Sequence, residues 1–116
     1  MAYTKIQNGA YTPTISNTLN ISASSNISSS YQIIDNIVYV KSRISITGNS
    51  NTQWTFRITL PISTTNLKAF GYCSIAVPNT SIDLRENGSL VEVSISSAST
   101  ISFLTQPNIF FSYEIN

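Results

Sequence analysis

Trp54, Phe56, Ile58 and Leu60 alternate without interruption with Gln53, Thr55, Arg57 and Thr59, and Pro61 stops the run. Side chains on a strand point to opposite faces with a period of two, so this stretch has one apolar and one polar face. Such a strand covers a core on one side and meets water or a partner on the other. The same alternation recurs along most of the chain, and no segment shows a convincing helical period.

The longest strand spans residues 37–47. Val38, Val40, Ile44 and Ile46 share one face, interrupted by Ser42, and Ile37, Tyr39, Lys41, Arg43 and Ser45 share the other. Asp35-Asn36 before it reads as a tight turn. Gly48-Asn49-Ser50-Asn51 after it is a turn cluster, so residues 37–60 are expected to form a hairpin. Residues 11–15 read as a short edge strand, because Pro13 cannot donate to a central ladder. Residues 20–30 are rich in Ser and Asn and read as a loop or a weak strand, with a firmer strand over 31–34. Further strands are expected over 73–77, 81–85, 90–96, 101–104 and 109–115. Asn87-Gly88 is the strongest short hairpin signal in the chain.

The expected fold is all-β: residues 1–116 as one jelly-roll-like β-sandwich of about eight antiparallel strands, with 1–10 as an extended N-terminal arm. The phase of the alternation predicts a core of Val38, Val40, Ile44, Ile46, Trp54, Phe56, Ile58, Cys73, Ile75, Val77, Val91, Val93, Phe111 and Tyr113.

Only 9% of residues are charged, against roughly 25% in ordinary soluble domains. Ser, Thr and Asn take their place, at roughly two residues in five, giving a neutral, hydroxyl-rich surface. A net charge of +1 keeps copies apart only weakly. Two-faced strands then favour self-assembly that covers edges and faces, against the plainer solution of a monomer with polar, twisted edges. The six Lys and Arg form no basic run, which argues against nucleic acid. No apolar stretch is long enough for a membrane helix, and the first ten residues are not a signal peptide.

The chain has no His, which removes the usual general base and the commonest metal ligand. Asp35, Asp83, Glu86, Glu92 and Glu114 are its carboxylates. Asp83, Glu86 and Glu92 could approach one another, but acids on turns and strand surfaces are mostly solvated. No calcium loop is recognisable. The expectation is therefore no enzyme, no cofactor and no metal. Cys73, the sole cysteine, reads as a buried structural thiol. The Asn-x-Ser sequons at Asn20, Asn26, Asn79 and Asn87 are what chance supplies in a chain of this composition.

Tyr39, Lys41 and Arg43 lie on the non-core face of the long strand, and Arg57 lies on the corresponding face of its expected hairpin partner. Aromatic and Arg side chains are enriched at interface centres, so these four are the candidate interface; a solvated strand face is the plain alternative. Trp54 is in phase with Phe56 and Ile58 and reads as core, not as a sugar platform. No cluster of exposed aromatic residues is identifiable from spacing alone.

The order of segments carries a resemblance. Gly9-Ala10-Tyr11-Thr12-Pro13-Thr14-Ile15, then residues 31–44 from Tyr31-Gln32-Ile33-Ile34-Asp35-Asn36 into the long strand, then Phe56-Arg57-Ile58-Thr59-Leu60-Pro61 and a closing Phe111-Ser112-Tyr113 resemble a family of small β-rich domains. These occur in bacteriophage virion proteins, often at the ends of fibres and appendages. The family pattern runs G-x-Y-T-P-T, Y-x-R-x-G-N-x-V-x-V-x-G and F-x-x-S-L-P. The chain departs from it at Ile33, where the family has Arg, and at Asp35, where it has Gly. The resemblance covers nearly the whole chain and implies a jelly-roll-like sandwich, a homotrimer, a place in the virion and no catalytic site. The expected protein is a whole small virion protein or a tip domain, made in the bacterial host cytoplasm: a non-enzymatic capsid decoration, head-fibre or tail-appendage subunit whose partners are its own copies and other virion proteins. The alternative is a lectin-like module that recognises a host surface glycan.

Overall fold

The computed structural model describes residues 6–49, 51–64, 68–74, 80–87, 90–101 and 104–115. They form ten strands: β1 (Ile6–Ala10), β2 (Ile15–Leu19), β3 (Ile21–Ile34), β4 (Ile37–Gly48), β5 (Asn51–Ile58), β6 (Phe70–Ser74), β7 (Thr80–Asn87), β8 (Leu90–Ile101), β9 (Leu104–Thr105) and β10 (Asn108–Glu114). Two antiparallel sheets pack as a sandwich. The six-stranded sheet runs β1-β3-β4-β10-β6, with β9 also on β4, and the four-stranded sheet runs β2-β5-β8-β7. Most connections cross from one sheet to the other, the jelly-roll trait. The fold measures 55 × 24 × 23 Å.

β3 and β4 form the spine, a hairpin whose ends pair Ile34 with Ile37. The two-residue turn needs a left-handed residue, and Asp35 supplies it at φ 57°; Asp tolerates that region better than most side chains. β7 and β8 form the second hairpin, closing at Asn87 and Leu90, where the Asn-Gly signal put a turn; residues 88–89 lie outside the described ones.

Residues 37–60 are not a hairpin. β4 pairs with β3, β10 and β9, and β5 pairs with β2 and β8. Two alternating strands joined by a turn cluster carry the same signature whether they lie side by side or face each other across a core, and here they face each other. Asn20, at φ 56° between β2 and β3, ties this corner together. Its carbonyl accepts from the Asn49 amide at 2.9 Å, and its side-chain amide donates to the Gln53 carbonyl at 2.9 Å.

Two other expectations change, and one open choice closes. The edge strand is β1, paired with β3, so 6–10 is not a free arm. Residues 11–14 are the crossing between sheets, with Pro13 buried. This crossing is pinned by Thr14 and Thr59: the Thr14 amide donates to Thr59 Oγ1 at 2.9 Å, and the Thr59 amide donates to the Thr14 carbonyl at 3.2 Å. Proline fits such a crossing because no ladder needs its missing N–H. Of the two readings of residues 20–30, loop or weak strand, the strand holds: residues 21–30 belong to one continuous strand, because β4 offers a ladder along almost their whole length, and that pairing supports a weak local propensity.

β9 and β10 continue one line along β4. Thr47–Leu104, Ile46–Thr105 and Arg43–Asn108 keep a common register. Pro107, fully buried, interrupts it. The Ile44 amide still donates to the Pro107 carbonyl at 3.3 Å, but Pro107 has no N–H to return.

The core lies where the alternation put it. Val38, Val40, Ile44 and Ile46 of β4 face Trp54, Phe56 and Ile58 of β5, with Val91, Val93 and Ile95 of β8 and Ile109, Phe111 and Tyr113 of β10. Cys73 is half-buried at the margin; Ile75 and Val77 lie outside the described residues. Ser42, which breaks the apolar face of β4, is fully buried. Its hydroxyl lies 2.7 Å from that of Ser29, which in turn donates to the Asn26 side-chain carbonyl. Ser42 therefore donates to Ser29, and the chain of hydroxyls satisfies both buried groups. Trp54 is core as expected, although its indole N–H is buried without a partner among the described residues.

Candidate functional site

The alternation that buries Val38 and Val40 turns Tyr39, Lys41 and Arg43 outward. The register then sets outward side chains of neighbouring strands beside them. One row of cross-strand neighbours runs Ala10, Ser30, Lys41, Phe110 and Tyr72, from β1 to β6. The adjacent row runs Asn8, Gln32, Tyr39 and Ser112. Together they line an open trough of about 1000 Å³ across the six-stranded sheet.

Its floor is aromatic. Tyr72 and Phe110 stack with ring centroids 5.0 Å apart and planes 27° from parallel. Tyr72 is 63% exposed and Tyr39 45%, unusually high for rings on a sheet face. Its rim is amide and hydroxyl, from Asn8, Ser30, Gln32 and Ser112. Among the described residues Lys41 is the one charged residue lining it. Arg43, two residues further along β4, donates to Gln106 Oε1 at 2.9 Å. Gly71 makes the arrangement possible: a Cβ there would lie 2.0 Å from the Phe110 carbonyl oxygen, so only glycine lets β6 approach β10 this closely.

Arg57 is not on this face. Sitting in the other sheet, it points from the opposite side of the sandwich, where the register aligns Arg57, Glu92 and Arg85 across β5, β8 and β7. Arg57 Nε donates to Glu92 Oε2 at 2.9 Å, and Arg85 Nη2 donates to Glu92 Oε1 at 3.0 Å. Glu92 is only 5% exposed as a result. The four-residue candidate interface thus divides: Tyr39, Lys41 and Arg43 stay together, and Arg57 serves an ion-pair row elsewhere. Of the three acids read as neighbours, Glu92 meets arginines instead, and Asp83 lies 3.9 Å from Arg85. Among the described residues no group of three or more His, Cys, Asp or Glu could hold a metal ion.

Spacing alone left Tyr72 and Phe110 unremarked. Both are out of phase with the core residues beside them, Cys73 on one strand and Ile109 and Phe111 on the other, which was the available signal. What hid the cluster was strand order, because β6 and β10 are 34 or more residues apart in sequence yet adjacent in the sheet.

Cys73 and Tyr11 pack against the core. Burial pushes the Cys73 thiol up to about 12 and raises the Tyr11 hydroxyl, with Tyr113 adding to the effect. Such groups stay protonated and unreactive at neutral pH. The trough can therefore pack apolar ring faces, exchange hydrogen bonds and offer one ammonium group. No family model, no curated protein and no solved structure matches this chain.

Proposed function

We propose that this chain is a non-enzymatic saccharide-binding module and that the trough on the six-stranded sheet is its binding face. The observation that supports this is the stack of exposed Tyr72 on half-buried Phe110 beside exposed Tyr39, framed by amides and hydroxyls. Pyranose rings present C–H faces that pack on aromatic rings and hydroxyls that bond to a polar rim, the usual division between apolar lining and a few placed polar groups. Soluble proteins seldom leave a contiguous aromatic patch uncovered without a use for it. A glycan array probed with the wild type and with Tyr72→Ala tests the reading. Binding of a saccharide set by the wild type and its loss in the variant is the expected result; a blank array for the wild type refutes it.

A second reading is favoured by the elongated shape and near-neutral charge. Here the chain is a structural subunit of a bacteriophage particle, a homotrimer in a capsid decoration, head fibre or tail appendage, with the Tyr39/Lys41 face covered by a neighbouring copy. The two readings meet if the chain sits at an appendage tip, since such a tip can be both structural and glycan-binding. Light scattering separates them. A trimer that Tyr72→Glu dissociates supports the covered face, and a wild-type monomer at micromolar concentration removes it.

A further inference from the structure

Resting on the saccharide reading, we infer that the trough's ligand is an acidic saccharide, with a ring carboxylate on the Lys41 ammonium and the sugar's C–H face on Tyr72 and Phe110. The argument is one of charge complementarity. Lys41 is exposed in the middle of the cross-strand row, between Ser30 and Phe110. Among the described residues it has no hydrogen-bond or ion-pair partner. The other described cations differ. Arg57 and Arg85 hold Glu92, Arg43 holds Gln106, and Lys68 lies outside the trough.

Among the described residues no carboxylate lines the trough. Glu114 shares its face, but lies two residues beyond Ser112 at the end of β10 and accepts from Asn36 Nδ2 at 2.8 Å. Arg43 adds positive potential within a Debye length of Lys41. An uncompensated ammonium beside an aromatic floor favours a ligand that carries one negative charge on an otherwise apolar-faced ring.

The same charge disfavours a second copy as occupant. A symmetric contact centred on the trough brings Lys41 toward its own copies, with no acid among the described lining residues to separate them. A polyol phosphate chain fits less well too, because it has no ring face to rest on Tyr72. A uronic or similar carboxylated sugar matches both features.

Calorimetry with oligogalacturonate, its methyl ester and a glycerol phosphate oligomer tests this on the wild type, Lys41→Gln and Tyr72→Ala. Lys41 is exposed, so its variant keeps the fold, which a matching melting temperature verifies. The expected result is binding of the free acid about tenfold tighter than the ester, weakened by salt. Lys41→Gln then removes the preference for the acid over the ester, while Tyr72→Ala weakens both. Equal binding of acid and ester overturns the acidic ligand and leaves the saccharide reading standing. Tighter binding of glycerol phosphate overturns the ring carboxylate. Binding of none of the three overturns this inference, and a blank glycan array beside it removes the saccharide reading as well.

Discussion

Tyr113 and Ile62 are joined twice: the Tyr113 hydroxyl donates to the Ile62 carbonyl at 2.7 Å and accepts from the Ile62 amide at 3.2 Å. Tyr113 belongs to β10 of the six-stranded sheet, and Ile62 follows the last residues of β5 in the other sheet. One side chain thus satisfies both backbone groups of a residue in the crossing segment, where no ladder is available. Tyr113→Phe strands both groups and should cost about 1–3 kcal/mol by urea titration. Tyr11→Phe removes only a long bond, 3.5 Å to the Thr59 carbonyl, and should cost clearly less. Equal losses would mean that Ile62 finds water in place of the hydroxyl.

The two described sheet-edge glycines should respond differently to alanine. At Gly71 the new Cβ would sit 2.0 Å from the Phe110 carbonyl oxygen and 2.6 Å from Phe111 Cα, both backbone atoms. At Gly9 it would meet the ring end of Tyr31 at 2.6 Å, which a side-chain rotation relieves. Gly71→Ala should cost about 2–3 kcal/mol or more, as overpacking against an immovable neighbour does, and should separate Tyr72 from Phe110. Gly9→Ala should cost less and leave the trough aromatics in place. Thermal melts, with tyrosine near-ultraviolet dichroism for the stack, measure both.

Alkaline pH should unfold the protein earlier than its charge suggests. Burial raises the Cys73 thiol from an ordinary value of 9.0 to about 12, and it raises the Tyr11 and Tyr113 hydroxyls above 10.0 as well. Below the unfolded values every one of these groups is protonated in both states, and the folded state keeps its full advantage. Above about pH 9 the unfolded chain releases protons that the folded chain still holds, so stability falls as pH rises toward the folded values. Urea midpoints should be flat from pH 6 to 8 and decline steadily above pH 9. In the same series, thiol labelling at pH 8 should be slow for the native protein and fast once it is unfolded.

The sequence was most legible where local alternation carries the information. Val38, Val40, Ile44, Ile46, Trp54, Phe56, Ile58, Val91, Val93, Phe111 and Tyr113 all point inward as their phase predicts. Alternation does not say which strand lies next to which. The residue pattern of 37–60 is the same for a hairpin and for an arch between sheets, so the pattern alone does not place Arg57 on the side of the molecule opposite Tyr39, where the pairing of β5 with β2 and β8 puts it. The trough has the same origin. Tyr39, Phe110 and Tyr72 each lie on a polar or mixed strand face, and only the order β4-β10-β6 assembles them. Ser42 interrupts an apolar face in the sequence, and its partner Ser29 lies in a segment whose composition reads as a loop or a weak strand. The register of β3 with β4 pairs the two hydroxyls.

The Arg57–Glu92–Arg85 row should behave as a unit. Both oxygens of Glu92 accept from arginine, and its side chain is only 6% exposed, whereas Arg57 and Arg85 are 37% and 59% exposed. Each pair alone is screened by solvent, so Arg57→Ala or Arg85→Ala should cost about 0.5–1 kcal/mol, since the remaining arginine still holds the carboxylate. Removing both leaves a shielded carboxylate without either cation, and the double variant should lose more than the two singles combined. Glu92→Gln should cost less than that double variant, because it removes the charge that needs compensation. Arg57→Glu should be the most damaging single change in the row, as it places a second carboxylate directly across from Glu92. A double-mutant cycle by urea unfolding measures the coupling. Strict additivity of the two arginine variants would show that Glu92 is held by its other contacts and that the row is three independent surface charges.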